Sequence, residues 1–332
     1  MDIVALSQVS SQDLERVFQQ EIQCWQDELF WDYQPAVSVI KQYISSRILS
    51  GWAIKTDSGA LSGYSYYVIN EPVAYIGNLY VQSECASAAA YAELLNKILH
   101  SLSNGNRIRR IESQIFAFNC DLVPLFEKHE FTAIKRHFLL FPLDQPQEGK
   151  DLQIQPNFRV AGWENKFFLP VADVICNSYQ GSTDYKLCHD YQSREGCIRF
   201  LNNLVKHPGC GTFSPQTSSI VLDSEEQVCG VLLTSKISPD TGMIPQISVR
   251  NDCQGKGIGS YLLQTYFKDA RESGLKRITL SVSDANEGAC RLYDRLGFQQ
   301  TRDFHAFVRE STPEGSTKSQ ALNPKQIPST KS

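Results

Sequence analysis

Two stretches of this 332-residue chain carry the same pattern half a chain apart, and that repetition limits the possible folds more than any single motif does. Leu79 to Leu95 lies without gaps on Ile247 to Leu263 at an offset of 168, matching Val81 with Val249, Cys85 with Cys253, Leu94 with Leu262 and Leu95 with Leu263. Gly63 lies on Gly230 at an offset of 167. Asn119 to Phe131 lies on Asn286 to Phe298 in that same register, pairing Asn119 with Asn286, Leu125 with Leu292 and Phe131 with Phe298. A chain built this way is expected to fold as two copies of one architecture, each long enough to bury a core.

The local patterns say what each copy contains. In the first half, Ser10 or Ser11 can cap a helix through Leu14, Val17, Phe18 and Ile22. The segment Trp25 to Pro35, dense in aromatics and carboxylates, reads as a helix end or loop, either a substrate lid or aromatics packed on a sheet. Gly51 to Lys55, Leu61 to Ile69 and Val73 to Val81 read as strands separated by tight turns, an antiparallel meander. A helix with Leu94, Leu95, Ile98, Leu99 and Leu102 on one face stops at Asn104-Gly105. It leads to a strand over Ile108 to Phe118, parallel to the last of the meander. A short helix over Cys120 to Phe131 and a strand over Lys135 to Phe141 finish the copy. Asp144 to Lys150 is polar and punctuated by proline and glycine, the signature of a boundary.

The second half repeats the order. It has a strand over Asn157 to Val160, a helix over Asn165 to Tyr179, a loop over Gly181 to Tyr185 and a helix through Phe200, Leu201 and Leu204. Strands follow over Ser218 to Leu222, Gln227 to Ile237 and Met243 to Val249, then a Gly-rich turn into a helix stopped by Gly274. A strand over Arg277 to Val282, a helix over Asn286 to Gly297 and a closing strand over Phe304 to Val308 complete it. The division is therefore residues 1–145 for the first domain, 146–152 for a linker and 153–310 for the second. Residues 311–332 have no periodicity and little apolar content, and read as a disordered tail.

Two motifs in the second half carry chemistry. Gln254-Gly255-Lys256-Gly257-Ile258-Gly259 follows a strand and opens a helix, so its amides and the helix dipole offer an anion site. It is not a P-loop, because Gly257 rather than Ser or Thr follows Lys256. A dinucleotide fingerprint begun at Gly255 would need glycine at Ser260. Some 30 residues on stands Asn286-x-x-Ala289-x-x-Leu292-Tyr293-x-x-x-Gly297-Phe298, whose Ala289, Leu292, Tyr293 and Leu296 share one helix face.

Together these motifs resemble the GCN5-related N-acetyltransferase (GNAT) superfamily. Gln-x-x-Gly-x-Gly is its pyrophosphate signature, and Asn-x-x-Ala-x-x-Leu-Tyr-x-x-x-Gly-Phe its ending. The resemblance spans about residues 153 to 310, and reaches 1 to 145 only through the repeat. It implies an α/β (α+β) fold of two tandem copies, each a mixed, mostly antiparallel twisted sheet flanked by helices. A parallel, splayed strand pair would surround the acyl-CoA site. It also implies cofactor contacts from Ile247, Ser248, Val249, Gln254, Gly255, Lys256, Gly257, Ile258, Gly259, Ser260, Asn286 and Ala289. Residues larger than glycine at 257 or 259 would put a Cβ where phosphate meets backbone N–H groups. Lys256 either adds charge there or is solvated. Asn286 either contacts the cofactor or caps its helix.

The implied reaction moves an acetyl group from acetyl-CoA to an amine by direct attack. Tyr293 would serve as general acid to the departing thiolate, since a thiol near ~8.5 and a phenol near ~10 are close enough for transfer. The alternative is that Tyr293 is ordinary core. No glutamate lies within Met243 to Val249 to act as base. Asp284 could be that base or a helix-entry cap, and a water relay or a neutral amine would serve as well. Asp184 and Tyr185 are the candidate acceptor ligands.

At the matching positions the first half has Ala86, Ala89 and Tyr91 for Gln254, Gly257 and Gly259, and Phe126 for Tyr293. That copy is expected to keep the fold and lose the chemistry. The layout is similar to that of the tandem mycothiol synthases.

A net charge of −4 supplies no basic footprint for nucleic acid, and no stretch approaches the roughly 20 apolar residues of a membrane helix. The N-terminus lacks a basic n-region with an apolar h-region. The ten cysteines are scattered without CxxC pairs or metal spacing. A cytoplasmic enzyme with no metal and a small-molecule amine acceptor is expected. Acetylation of a protein N-terminus or lysine, and a non-catalytic acyl-CoA sensor or scaffold, are the alternatives.

Overall fold

The computed structural model describes residues 2–103, 107–144, 154–207 and 209–310. An edge strand, β1 (Asp2–Ala5), and two helices, α1 (Glu15–Leu29) and α2 (Gln34–Ser45), open the first half. Strands β2 (Ser50–Lys55), β3 (Leu61–Asn70) and β4 (Val73–Val81) form the antiparallel meander. Helix α3 (Ala88–Ser103) leads to β5 (Arg110–Ile115), which runs parallel to β4. Helix α4 (Val123–Lys128) and strand β6 (Thr132–Pro142) follow.

The second half runs through β7 (Arg159–Gly162), α5 (Phe168–Tyr179), α6 (Thr183–Leu187), α7 (Arg194–Lys206) and the short β8 (Thr212–Phe213). Its meander is β9 (Ser219–Leu222), β10 (Val228–Ser238) and β11 (Thr241–Val249). Helix α8 (Ile258–Glu272) connects β11 to its parallel neighbour β12 (Arg277–Ser283), and α9 (Glu287–Leu296) and β13 (Gln299–Glu310) close the described chain.

The equivalent helices α3 and α8 form because apolar residues recur three and four apart, and each lays that stripe on its sheet. In α8 the buried face is Ile258, Leu262, Leu263, Tyr266, Phe267 and Ala270; in α3 it is Ala90, Tyr91, Leu94, Leu95, Ile98, Leu99 and Leu102. Each fully buried Leu or Phe on such a face contributes about 1.5–3 kcal/mol.

The sheet differs from two separately closed copies in one respect. All but one of its strands lie along a single path, β1-β2-β3-β4-β5-β13-β6-β12-β11-β10-β9-β7, with β8 beside β10. The last strand of each half has crossed into the other. β6 pairs with β12, Ile278 opposite Phe141, while β13 pairs with β5, Phe307 opposite Ser113. Lys135 to Phe141 and Phe304 to Val308 are strands, as the sequence indicates, but neither closes its own half. The exchanged strands carry core with them. Phe141 of β6 stacks on Phe267 of α8 at 4.1 Å between ring centroids, and Phe307 of β13 stacks on Phe126 of α4 at 3.9 Å.

Two smaller departures follow from local rules, and one open alternative is resolved. Helix α2 starts with Pro35 in its first turn, where the missing N–H costs nothing. The loop expected over Gly181 to Tyr185 turns into α6 at Thr183, because Ser182 Oγ accepts a hydrogen bond from the Tyr185 amide at 3.1 Å. The aromatic segment between α1 and α2 is core, with Trp25 stacked on Tyr33 at 4.2 Å and edge-on to Trp31 at 5.2 Å. The linker 146–152 and the tail 311–332 lie outside the described residues.

Candidate active site

β11 and β12 pair only from Thr241 to Ile244 against Arg277 to Leu280. Pro245, with no N–H, follows, where the β10–β11 register shifts by a bulge between Leu233 and Ser235. Beyond it the two strands part and open a cleft of about 580 Å³. The Arg250 amide donates to the Cys229 carbonyl on the β10 side at 2.8 Å. Because amide direction alternates along a strand, the N–H groups of Val249 and Ile247 face the cleft instead.

The floor of the cleft at the helix end is the Gly-rich turn. Gly255 and Gly257 have φ of +73° and +82°, and Gly257 is the N-cap of α8 with no side chain capping it. The Tyr261 amide is the first to bond back, to the Gly257 carbonyl at 3.0 Å, so the amides of Ile258, Gly259 and Ser260 have no partner within the helix. A Cβ at 255 or 257 would meet nothing within 4 Å, so glycine is required there by backbone conformation, with open space beside it. A Cβ at 259 would stand 3.5 Å from Leu292, an ordinary contact, so any requirement there comes from what approaches out of the cleft. Gln254 holds the turn, donating from Nε2 to the Val249 carbonyl at 3.1 Å and to Asn251 Oδ1 at 3.0 Å.

Opposite stands α9. Asn286 caps it, Oδ1 accepting from the Ala289 amide at 3.2 Å, and both line the cleft. Tyr293 lines it too, buried and edge-on to Phe298 at 5.5 Å. Burial pushes the Tyr293 hydroxyl above the usual phenol range, and Tyr179, Cys290 and Asp184 push the same way. It therefore stays protonated as a donor.

The far end is built by α5, α6 and β11. Gln246 Nε2 donates to Ser248 Oγ at 2.7 Å and to the Tyr179 hydroxyl at 3.1 Å, and Ser178 Oγ donates to Ser248 Oγ at 2.9 Å. Tyr179 stacks on Tyr191 at 4.0 Å. Asp184 is buried there, its Oδ1 accepting from Ser283 Oγ at 2.5 Å. The segment carrying Asp184 is gripped from the first half. Buried Arg110 of β5 donates to Glu112, to Glu310 and to the Lys186 carbonyl, while Glu112 accepts from the His189 amide at 2.7 Å. Burial pushes the Glu112 carboxyl up, and Arg110 opposes it.

The cleft thus gathers Ile247 to Val249, Gln254, Gly255, Gly257 to Ser260, Asn286, Ala289, Tyr293 and Asp184. Two candidates stand outside its wall. Lys256 Nζ lies 5.8 Å from the Phe158 ring centroid, and Tyr185 is tied by its backbone to Ser182 and Gln192. Asp284 does not line the cleft: its carboxylate bonds His137 Nε2 at 2.8 Å, and Asn286 caps α9. Gln246, Ser178, Tyr179 and Arg136 were not singled out from the sequence. Only Gln246 had a signal there, at the repeat position of Asn78.

The first-half counterpart is filled by its own side chains. Burial pushes the Tyr91 hydroxyl up, opposed by a hydrogen bond from the Val81 amide, the equivalent of Val249. Asn119 Nδ2 takes the Val81 carbonyl at 2.9 Å, and Ser87 Oγ caps α3 by accepting from the Ala90 amide at 3.2 Å. Phe126, at the place of Tyr293, is fully buried.

A mixed sheet with a parallel pair splayed over a glycine turn and a helix N-terminus is the architecture of the GNAT fold. Residues 184–298 match the acetyltransferase (GNAT) family, and this stretch is a GNAT-family domain. In fold, the chain is similar to a GCN5-related N-acetyltransferase from Sphaerobacter thermophilus, with a TM-score of 0.68 and 14% identity over 93% of this chain and 95% of that one. It is also similar to a tandem GNAT protein from the clavulanic acid biosynthesis pathway, with a TM-score of 0.60 and 12% identity over 94% of this chain and 99% of that one. In sequence, 71 residues are 34% identical to the mycothiol acetyltransferase of Rhodococcus jostii, covering 21% of this chain and 23% of that protein. The chain spans about half the length, or less, of the curated relatives it matches. Among the described residues no helix is long and apolar enough to cross a membrane, and no cluster of three or more His, Cys, Asp or Glu could hold a metal ion.

Proposed function

We propose that the second half transfers an acetyl group from acetyl-CoA to the amine of a small molecule. The observation that carries this reading is the coincidence of three features on one cleft: cleft-facing strand amides, an uncapped glycine turn and a buried tyrosine hydroxyl. The N–H groups of Ile247 and Val249 would receive the pantetheine arm as an added strand. The amides of Ile258 to Ser260, at the positive end of α8, would hold the diphosphate. The open space beside Gly255 and Gly257 fits such a group.

The amine nitrogen attacks the thioester carbonyl carbon, a strand amide stabilises the oxyanion, and the C–N bond forms as the C–S bond breaks. Asp184 receives the ammonium end and passes to solvent both the proton that frees the amine and the one the nitrogen loses after attack. Tyr293 donates its hydrogen bond, and finally its proton, to the leaving thiolate, recovering one from water. The products are the N-acetylated amine and free CoA.

The test is CoA-thiol release from acetyl-CoA with a panel of amines. Turnover should appear with some acceptors, and Tyr293→Phe should lower kcat about 10²-fold with acetyl-CoA affinity nearly intact. Unchanged turnover in that variant would remove the acid role. Tight acetyl-CoA binding with no turnover on any amine would mark a sensor instead.

A further inference from the structure

The strand exchange puts one first-half residue where the second half meets its acceptor. Arg136 of β6 stands directly opposite Ser283 of β12 and opposite Phe304 of β13. Residues opposite each other across a strand pair project from the same face. Ser283 on that face bonds Asp184, so the guanidinium and the Asp184 carboxylate flank the same end of the cleft, and Arg136 lines it. Its side chain is only half satisfied. One amino group donates to Gln114 Oε1 at 3.1 Å and the guanidinium lies 5.7 Å from the Phe304 ring centroid, while the buried Nε has no partner. Among the described residues no carboxylate lies within ion-pair distance of Arg136, although the strand arginines Arg110, Arg159, Arg277 and Arg302 are each paired. An arginine held by a neutral amide and a ring, with a buried N–H unmet, leaves its charge for something that enters the cleft.

We propose that the acceptor is an amine that also carries a carboxylate, of the amino-acid class, with Arg136 binding the carboxylate and Asp184 the amine. This rests on the acetyltransferase reading above and adds the acceptor's second charge. Three charged side chains line the cleft: Arg136 and Asp184, which share the Ser283 end, and Arg295 of α9; the first two match the carboxylate and the amine of a zwitterion. The stacked Tyr179–Tyr191 pair beside them excludes water from the ion contacts and leaves an apolar wall for the acceptor's remaining carbon skeleton. The active half is thus incomplete without the degenerate half, whose β6 supplies the anion contact.

The experiment compares CoA-thiol release on L-amino acids and on their matched carboxamides, with wild type and with Arg136→Met. Wild type should favour acids over amides about 10- to 100-fold in kcat/KM, and Arg136→Met should collapse that ratio towards one. A second readout is calorimetric binding of N-acetylated amino acids, which lack the amine but keep the carboxylate; wild type should bind them at least about 10-fold tighter than Arg136→Met. Wild type acting equally on acids and amides, or preferring amides, overturns the proposal while leaving the acetyltransferase reading intact. An acid preference that survives in Arg136→Met also overturns it. Absence of turnover on every amine, charged or neutral, is the separate failure of the acetyltransferase reading itself.

Discussion

At the scale of single residues, the two halves differ in what their buried polar groups face. Gln246 in the second half serves a cleft through neutral hydroxyls, while Asn78, at the same repeat position, donates to buried Glu21 at 2.9 Å, which also accepts from the Tyr64 hydroxyl at 2.7 Å. Burial pushes the Glu21 carboxyl up to about 7, with Tyr64 and Asn78 opposing it. A carboxyl whose folded value lies above its unfolded one binds an extra proton in the native state between the two. Stability therefore falls as pH rises from about 4.5 to about 7, and is flat above. The full effect is on the order of 3 kcal/mol. Glu21→Gln, whose Oε1 can still accept from Asn78 while its Nε2 donates to the Tyr64 hydroxyl, should gain stability over wild type as denaturation is measured from pH 5 to pH 8. Parallel pH profiles for the two proteins would contradict this account of Glu21.

At the scale of elements, the site reduces to a bulge, a turn and two helix starts. The bulge recurs at Gly77 in β4, where the Tyr66 ring would meet a Cβ at 2.1 Å, and at Pro245 in β11. Only in the second half does the strand beyond it keep its amides open. Gly257→Ala would force an alanine into a left-handed conformation at a cost of about 1–2 kcal/mol, and the turn would relax away from the position that aims its amides. Acetyl-CoA affinity should fall at least about 10-fold, while thermal unfolding shifts by only a few degrees. Retained affinity would mean that the turn does not hold the diphosphate.

These elements were legible in the sequence because each is written in contiguous residues. A positive-φ turn needs glycine, an anion site needs a helix start, and the Asn286 cap and Tyr293 sit on one turn-spaced face. What was not legible is non-local. Nothing near Arg136 marks that β6 will pair with β12, some 140 residues away, and nothing near Asp284 marks that its partner, His137, comes from that same exchanged strand. Helix α6 was missed because five residues give no periodicity to read.

At the scale of the whole molecule, the exchange makes the halves interdependent. Cutting the chain between β6 and β7 would leave β12 and β13 without the strand between them and would expose Phe267 and Phe298, against which Phe141 packs. A fragment of residues 154–310 produced alone should be insoluble or self-associated, and should become soluble when co-expressed with residues 2–144. A monomeric, cooperative fragment on size-exclusion and thermal unfolding would show that the shared sheet is dispensable. The Arg110–Glu112 grip on the Asp184 segment points the same way, since the first half holds the Asp184 end of the cleft.

One of the two similar clefts is open, and the other is closed by its own side chains. Calorimetric titration of the full chain with acetyl-CoA tests this most directly. One molecule bound per chain, at least about 10-fold more weakly in Gly257→Ala, is the predicted result; two molecules, none, or one that is indifferent to Gly257 would contradict it.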